Sequence, residues 1–355
     1  MMTVNDTLSD TKRGVVMEQI LVMCDPQKAL IKDDTSERIR EILTEGTAEN
    51  TRKAYQGDIE YFMTWARFAL GYDMGFPVPC PVVVRFITDH LKGMDEDTER
   101  KLLGLGIKGK SGTHSLNTII RRIASLSAAH EAQKVENPCR SREVSTLLSK
   151  ARRASAKKGE LPNKRKALTR DLLELVISTC DDSIIGIRDK ALLLFGFASG
   201  GRRRSEVASA MVKDLMPVDG GYIYHLPLSK TDQEGNGLDL PILGKAAVAL
   251  DAWLRCTGIA EGKLFRGVTK GGRVLDGIND KTVARIVKKR SRMAGLDPSR
   301  FSGHSIRSGF ITEAGRQGKS LGDTMAMSGH KTVRVALGYH QSGAAINNPA
   351  AMLLG

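Results

Sequence analysis

The stretch SGHKTVRVALGYHQ, residues 328–341, places His330 and Tyr339 nine residues apart. On one continuous α-helix, with about 3.6 residues per turn, nine steps rotate two side chains to opposite faces. Both can belong to one site only where the helix is broken, and Gly329 and Gly338 are the expected break points. A tyrosine on its own is more often half-buried packing, so this pair alone does not define a site.

Upstream, the string GHSIRSG, residues 303–309, carries His304 and Arg307. Residues three apart share one face of a helix, so the two side chains are expected to lie next to each other. An imidazole beside a guanidinium suits a phosphodiester. Taken alone, however, the string is better explained as an ordinary helix start.

A third string, GRRRSEV, residues 201–207, follows an apolar segment that we predict to be a buried helix. Three adjacent arginines are costly near a core unless a phosphate or a carboxylate receives them. As an isolated feature, a basic turn at the surface is the simpler interpretation.

Taken together, the strings place suitable side chains in one order within one half of the chain: Arg203, Lys230, His304, Arg307, His330 and Tyr339. That order resembles the tyrosine recombinase (phage integrase) family. The family pattern runs Arg-x-Ser-Glu, a hairpin lysine, His-x-x-Arg, then Gly-His or Gly-Trp, with the nucleophilic tyrosine nine residues later. The segment RRSE matches with Arg203 as the first arginine and Glu206 as its acidic companion. HSIR and the spacing from GH to the tyrosine match as well.

Two features qualify the resemblance. Where the family often has an apolar residue before the first catalytic arginine, this chain has Arg202, and the register with Ser205 and Glu206 selects Arg203 instead. The string FSGHSIRSG and the overall length look most like the Cre-like recombinases. Cre itself has tryptophan at the position of His330.

The resemblance implies how the phosphate would be held. Arg203 and Arg307 would contact its non-bridging oxygens and stabilise the charge that builds on pentavalent phosphorus. Glu206 would orient these groups, and His330 would add a hydrogen bond.

The resemblance also implies the covalent step. Tyr339 would attack phosphorus, His304 would assist removal of its proton, and Lys230 would protonate the departing 5′ oxygen. The product would be a 3′-phosphotyrosyl enzyme that conserves the phosphate bond energy. No cofactor is therefore expected, neither ATP nor a metal ion.

Composition points to the same kind of partner. The 355 residues carry a formal net charge of +14, which favours a polyanion, and nucleic acid is a commoner partner than an anionic membrane. The longest apolar run, residues 191–198, is far shorter than the roughly 20 residues of a membrane span. No signal peptide or Cys/His metal spacing is recognisable, so we expect a cytoplasmic, nucleoid-associated protein without metal or disulfides.

The fold class expected is mainly α with a small β-sheet, in four segments. Residues 150–169 are rich in Lys and Arg and contain Gly159 and Pro162, which indicates a linker there. Such charge runs are usually solvated, but this position favours contact with a phosphate backbone. The expected segments are a mobile N-terminal arm (1–35), a helical core-binding domain (36–156), a basic linker (157–166), and an α+β catalytic domain with a C-terminal tail (167–355).

Hydrophobic periodicity predicts the elements within these segments. Helices are expected from Thr47 to Gly71, after Pro79, from Thr113, and over 141–156, giving four or five in the first domain. In the second domain, YIYHLPLSK and LDLPIL predict a β-hairpin between helical regions.

The resemblance further implies double-stranded DNA with specific recombination sites as the partner, a C-shaped clamp around it, and a homotetramer on two sites. The free protein would be a monomer or a weak oligomer. The apolar tail 346–355 could dock on a neighbour or on its own subunit. Candidate DNA contacts, which solvated charges would equally explain, are Arg121, Arg122, Arg285, Lys288 and Lys289.

Two other functions are compatible with these residues. A type IB topoisomerase uses similar chemistry but does not exchange strands between partners. An architectural DNA-binding protein would keep the shape without forming a covalent adduct.

Overall fold

The protein is described from a computed structural model over residues 49–159, 165–227, 229 and 237–345. The predicted arm, the centre of the basic linker, Lys230 and the tail 346–355 lie outside these residues. The chain divides into two compact units, Met1–Pro162 and Asn163–Gly355. The division falls inside the segment that the sequence assigns to the linker.

The described part of the N-terminal unit contains five α-helices. Gly71, with φ of 82°, follows the first helix where the sequence predicts its end. Ser115 rather than Thr113 caps the fourth, since its side chain accepts a hydrogen bond from the backbone N–H of Thr118. The helices are α1 (Glu49–Leu70), α2 (Cys80–Lys92), α3 (Glu96–Gly104), α4 (Leu116–Ala132) and α5 (Arg142–Lys157).

Periodicity alone does not reveal α3. Its segment is dominated by charged residues, and only Thr98 and Leu102 are buried. The helix starts at an N-cap, because the Asp95 carboxylate accepts hydrogen bonds from the backbone N–H groups of Asp97 and Thr98. The acidic residues of its first turn also favour the positive end of the helix dipole.

The core of the N-terminal unit lies between α1, α2, α4 and α5. Ile59, Phe62 and Ala66, on one side of α1, are buried, whereas Ala54 is exposed. Trp65 is completely buried against the aromatic ring of Phe86.

The C-terminal unit is helical around one small antiparallel sheet of order β1-β2-β3. Strands β2 (Gly221–Leu226) and β3 (Leu238–Leu243) form the predicted hairpin. Strand β1 (Leu215–Val218) is an additional edge strand that the sequence does not indicate, because it is short, contains Pro217 and is mostly exposed.

Helix α7 (Ile184–Ala198) forms the centre of the C-terminal core, with most of its side chains buried. The other helices are α6 (Arg170–Ile177), α8 (Arg204–Ser209), α9 (Lys245–Thr257), α10 (Asp280–Met293), α11 (Gly303–Arg316), α12 (Leu321–Ser328) and α13 (Val333–Ala344). The expected class, mainly α with a small sheet, is confirmed. No helix within the described ranges is long and apolar enough to cross a bilayer.

Candidate active site

A pair of glycines turns the chain from α7 into the arginine string. Gly200 and Gly201 have φ of 86° and 71°, which other residues rarely adopt. A Cβ at Gly200 would collide with the carbonyl of Met327, and one at Gly201 would lie 2.7 Å from the Cα of Arg307. The turn therefore packs the arginines directly against α11 and the end of α12.

The three arginines of this string have three different environments. Arg202 is buried, with 1% of its surface exposed. Arg204 is exposed and pairs with Asp280, with 3.0 Å between Nε and Oδ2. Arg203 is partly buried and donates from Nη1 to Oε1 of Glu206 at 2.7 Å. Arg203, which the sequence register selects, is therefore the one of the three that the Glu206 carboxylate holds by a direct side-chain hydrogen bond.

Glu206 organises the start of α8. Its side chain is almost fully buried, and its Oε2 accepts a hydrogen bond of 3.0 Å from the backbone N–H of Arg203. One carboxylate thus fixes both the main chain and the guanidinium of Arg203.

The first turn of α11 supplies His304 and Arg307. Arg307 is 3% exposed and donates from Nη1 to the carbonyl of Gly201 at 3.2 Å. Burial, together with the charges of Arg203 and Arg202, lowers its pKa to about 9. The site therefore concentrates positive charge for which the protein itself provides few anions.

The corner between α12 and α13 carries His330. Gly329 adopts the left-handed conformation, with φ of 67°, and ends α12. The Nδ1 atom of His330 accepts a hydrogen bond from Nη2 of Arg307 at 3.1 Å and lies 2.8 Å from the hydroxyl of Ser328. Because Arg307 can only donate, the proton of the neutral ring is on Nε2.

The ring of His330 is held neutral. Burial and the nearby charges of Arg307, Arg203 and Arg202, with a smaller effect of His304, lower its pKa to about 4. His330 and Tyr339 do not share one continuous helix, because α12 ends at Gly329 and α13 begins only at Val333, after His330. The expectation of a break at Gly338 is wrong, because α13 continues through that residue. A glycine inside a helix carries a propensity cost but does not by itself end the helix.

Tyr339 projects from α13 towards α11. Its Oη lies 3.2 Å from Nε2 of His304, and the two rings meet edge to face at 6.0 Å between centroids. Partial burial, and then the charges of Arg307 and Arg203, lower the pKa of His304. A neutral imidazole beside the phenol can accept its proton.

Close backbone contact fixes α13 on α11. A Cβ at Gly315 would overlap the carbonyl of His340, and one at Gly343 would overlap the carbonyl of Thr312. Sequence reasoning missed these glycines and also Ser328. The sequence does show one glycine on each of the two helices. These glycines indicate a close helix contact only once it is known that α11 packs against α13.

A cavity of 280 Å³ opens at this point of the domain. Its size and its guanidinium-rich wall suit a phosphate group with part of its sugar chain. Its lining residues are Arg203, Arg204, Ser205, Ser302, Gly303, His304 and Arg307.

Lys230 belongs to the connection between β2 and β3 and lies outside the described residues. The described end of that connection is near the site, since Cδ2 of Leu238 lies 3.8 Å from the position of a Cβ on Gly329. In the same part of the chain that the structure describes, no group of three or more His, Cys, Asp or Glu side chains could hold a metal ion.

The candidate DNA contacts on α10 are exposed: Arg285, Lys288 and Lys289. Arg285 donates to the hydroxyl of Thr282 at 2.8 Å.

Unlike the exposed basic residues of α10, the two candidate arginines of α4 both pair with a carboxylate of α1. Arg121 is half exposed and pairs with Asp58. Arg122 is only 12% exposed, and its guanidinium lies over the ring of Tyr61, 3.2 Å from the centroid. Arg122, one of the candidate DNA contacts, is therefore turned inward by the ring of Tyr61 and the carboxylate of Asp58.

Comparisons with known proteins agree with the fold. The model of the phage integrase family matches residues 166–345. An integrase/recombinase described as a XerD homolog, from Selenomonas ruminantium, is 30% identical over 312 residues, covering 85% of this chain and 84% of its own. The tyrosine recombinase XerC of Herpetosiphon aurantiacus is 26% identical over 298 residues, covering 81% and 83%.

Two solved structures share the fold at low identity. The Tn1549 transposon integrase in complex with transposon right end DNA has a TM-score of 0.55 at 17% identity, covering 88% of this chain and 98% of its own. A lambda integrase dimer bound to a COC′ core site has a TM-score of 0.53 at 17% identity, covering 86% and 94%.

Fold, motif order and relatives together define the class: the chain belongs to the phage integrase family, the tyrosine recombinases. It is an enzyme, a tyrosine-type site-specific recombinase that cleaves and rejoins DNA strands.

Proposed function

We propose that Tyr339 is the nucleophile of this recombinase and that strand exchange proceeds through a 3′-phosphotyrosyl intermediate on it. The observation that carries the proposal is the 3.2 Å contact between Oη of Tyr339 and Nε2 of His304, next to a cavity lined by Arg203 and Arg307. A phenol with an ordinary pKa near 10 is a weak nucleophile at neutral pH. A proton acceptor and concentrated positive charge overcome that weakness.

Arg203 and Arg307 bind the non-bridging oxygens of the phosphate. In Arg307, Nη1 and Nη2 each use one N–H within the protein, for Gly201 and His330, which leaves one N–H on each for the substrate. These fixed donors stabilise the additional negative charge of the pentavalent transition state.

The bond changes balance in each direction. Tyr339 gives its proton to His304, its oxygen bonds to phosphorus, and the bond from phosphorus to the 5′ oxygen breaks. Lys230 supplies the proton that the departing 5′ oxygen takes up, and the Nε2–H of His330 donates to the phosphate. A 5′ hydroxyl of the partner strand then reverses the reaction, so the phosphate bond energy is conserved.

DNA with specific recombination sites is the proposed partner. Exposed basic residues of α10 support this, as does the end of α5, where the basic side chains are exposed and precede the linker: Arg152, Arg153, Lys157 and Lys158. Of the two integrases of similar fold, one was solved bound to a COC′ core site and the other in complex with transposon right end DNA. We also propose a homotetramer on two sites, a monomer or weak oligomer in free solution, a cytoplasmic, nucleoid-associated location, and service to a mobile element.

A recombination assay on a plasmid tests the proposal. The recombination sites are first identified by trapping the enzyme on genomic DNA, and two of them are then placed on the plasmid. The wild-type protein is expected to give excision or inversion products and a covalent protein–DNA adduct, whereas Tyr339→Phe binds the DNA without forming the adduct. Relaxation of supercoils without recombined products would instead indicate a type IB topoisomerase. Binding without any adduct by the wild type would indicate an architectural protein.

A further inference from the structure

Arg202 places a positive charge in the interior of the C-terminal unit. It is 1% exposed and ranks among the largest fully buried side chains of the described residues. Its Nε has no hydrogen-bond partner. Leaving one buried donor unsatisfied costs about 1–3 kcal/mol, in addition to the cost of burying the charge itself.

The two ends of its guanidinium contact two different parts of the site. Nη2 donates to the carbonyl of Met327 at 2.7 Å, and Nη1 lies 3.8 Å from Oε2 of Glu206. Met327 is the penultimate residue of α12, whose final carbonyls have no partner within the helix. A cation at that end is also favoured by the helix dipole.

The next residues after α12 are Gly329 and His330, so a shift of the helix end moves the imidazole. The carboxylate of Glu206, which the other end of the Arg202 guanidinium contacts, accepts a hydrogen bond from the guanidinium of Arg203 and so fixes it. Arg202 therefore links the element that carries His330 to the element that carries Arg203.

We propose that Arg202 is a positioning residue for cleavage: it ties the end of α12 to the Arg203–Glu206 segment and so holds His330 against Arg307. The proposal rests on the proposed function, in which His330 and Arg203 contact the phosphate. An apolar side chain of similar length would fill the same space at a lower desolvation cost, but it could not bind the Met327 carbonyl.

The test compares Arg202→Met and Arg202→Lys with the wild type on a nicked DNA substrate that traps the adduct. Arg202→Met is expected to fold and bind DNA as the wild type does, and to cleave about 10- to 100-fold more slowly in single turnover. Arg202→Lys is expected to be intermediate, because an ammonium can reach the Met327 carbonyl but cannot span both partners. Arg266→Met is the matched control, since Arg266 also donates to main-chain carbonyls, at Lys263 and Glu261, outside the cavity.

A double-mutant cycle with His330→Ala shows whether Arg202 acts through His330. If it does, Arg202→Met slows cleavage much less in the His330→Ala background than in the wild type. Additive losses, or wild-type cleavage by Arg202→Met, would overturn the proposal. If Arg202→Met does not fold, wild-type cleavage by Arg202→Lys would overturn it. Failure of the proposed function is distinguishable, because the wild-type protein would then form no adduct at Tyr339.

Discussion

At the scale of single residues, the order of motifs in the sequence predicted one set of side chains, and several of them lie close together in the structure. The structure brings together Arg203, Glu206, His304, Arg307 and, through its contact with Arg307, His330. Tyr339 joins them through His304.

The sequence could not distinguish the environments of the three adjacent arginines. A string of letters carries no burial, and the inward direction of Arg202 depends on the carbonyl of Met327, 125 residues further along the chain. Arg122 turned inward for the same kind of reason, a carboxylate and an aromatic ring on another helix.

Glu206→Gln tests how far one carboxylate fixes the catalytic arginine. A glutamine has one acceptor oxygen where Glu206 uses two, so either the guanidinium or the main-chain N–H of Arg203 loses its partner. Single-turnover cleavage is expected to fall about 10- to 100-fold, with DNA affinity little changed. Glu174→Gln, an exposed glutamate that pairs with Lys245, is the control and keeps the wild-type rate. Equal rates for both variants would contradict the assigned role of Glu206.

At the scale of secondary-structure elements, strong periodicity located most helices, and local chemistry decided the rest. Helix α3 depends on its Asp95 cap, and strand β1 depends on pairing with β2 rather than on its own pattern. Gly329 and Gly338 were both predicted to break the helix before Tyr339. Residue type alone could not show that the break falls at Gly329 and not at Gly338. The difference is that Gly329 follows the last turn of α12, whereas Gly338 lies in the middle of α13.

Gly315→Ala tests whether the close contact of α11 with α13 places the nucleophile. The added methyl group would meet the carbonyl of His340, one residue after Tyr339, and force the helices apart. The variant is expected to lose about 1–3 kcal/mol of stability and to form the adduct more slowly.

The matched control for stability is Gly338→Ala in α13, the helix that packs on α11, because a Cβ at Gly338 has open space. It is expected to be neutral or to stabilise by up to about 1 kcal/mol, since alanine is the better helix former. A melting temperature of Gly315→Ala equal to that of the wild type would show that the contact is looser than the structure has it.

His90→Gln tests a buried histidine that joins α2 to α1. Its Nδ1 donates to the carbonyl of Phe86, and its Nε2 accepts from the hydroxyl of Tyr61 at 2.8 Å. Burial lowers its pKa from 6.5 to about 3. Between these values the unfolded chain binds a proton that the folded chain does not, so stability is present above the unfolded pKa and is lost as the pH falls. The loss is about 1.4 kcal/mol per pH unit.

Melting temperatures from neutral pH down to about pH 5 are expected to fall less steeply for His90→Gln than for the wild type. Tyr61→Phe, which removes the hydrogen bond but keeps the titrating ring, should retain the steep dependence. Parallel curves for His90→Gln and the wild type would mean that this ring does not resist protonation.

At the scale of the whole molecule, the net charge of +14 predicted a nucleic-acid partner, and the exposed basic face of α10 is the local form of that charge. Composition could not show which cations are free. Several exposed arginines are already paired with carboxylates, as Arg100 is with Asp97.

Lys289→Gln and Arg100→Gln therefore separate a free cation from a neutralised one. Each phosphate contact that is lost should reduce the slope of log affinity against log salt by about one. Lys289→Gln is expected to lower the slope by that amount and Arg100→Gln to leave it unchanged, as measured by DNA binding over a range of salt concentrations. Identical slopes for Lys289→Gln and the wild type would place α10 away from the DNA backbone.

In the proposed reaction, the phenol of Tyr339 becomes covalently bonded to DNA. The most direct measurement traps the adduct on a nicked DNA substrate, digests the protein, and identifies by mass spectrometry the peptide that carries the nucleotide. The expected result is a phosphotyrosine at Tyr339 in the wild type and no adduct in Tyr339→Phe. Attachment at any other residue, or an undiminished adduct in Tyr339→Phe, would contradict it.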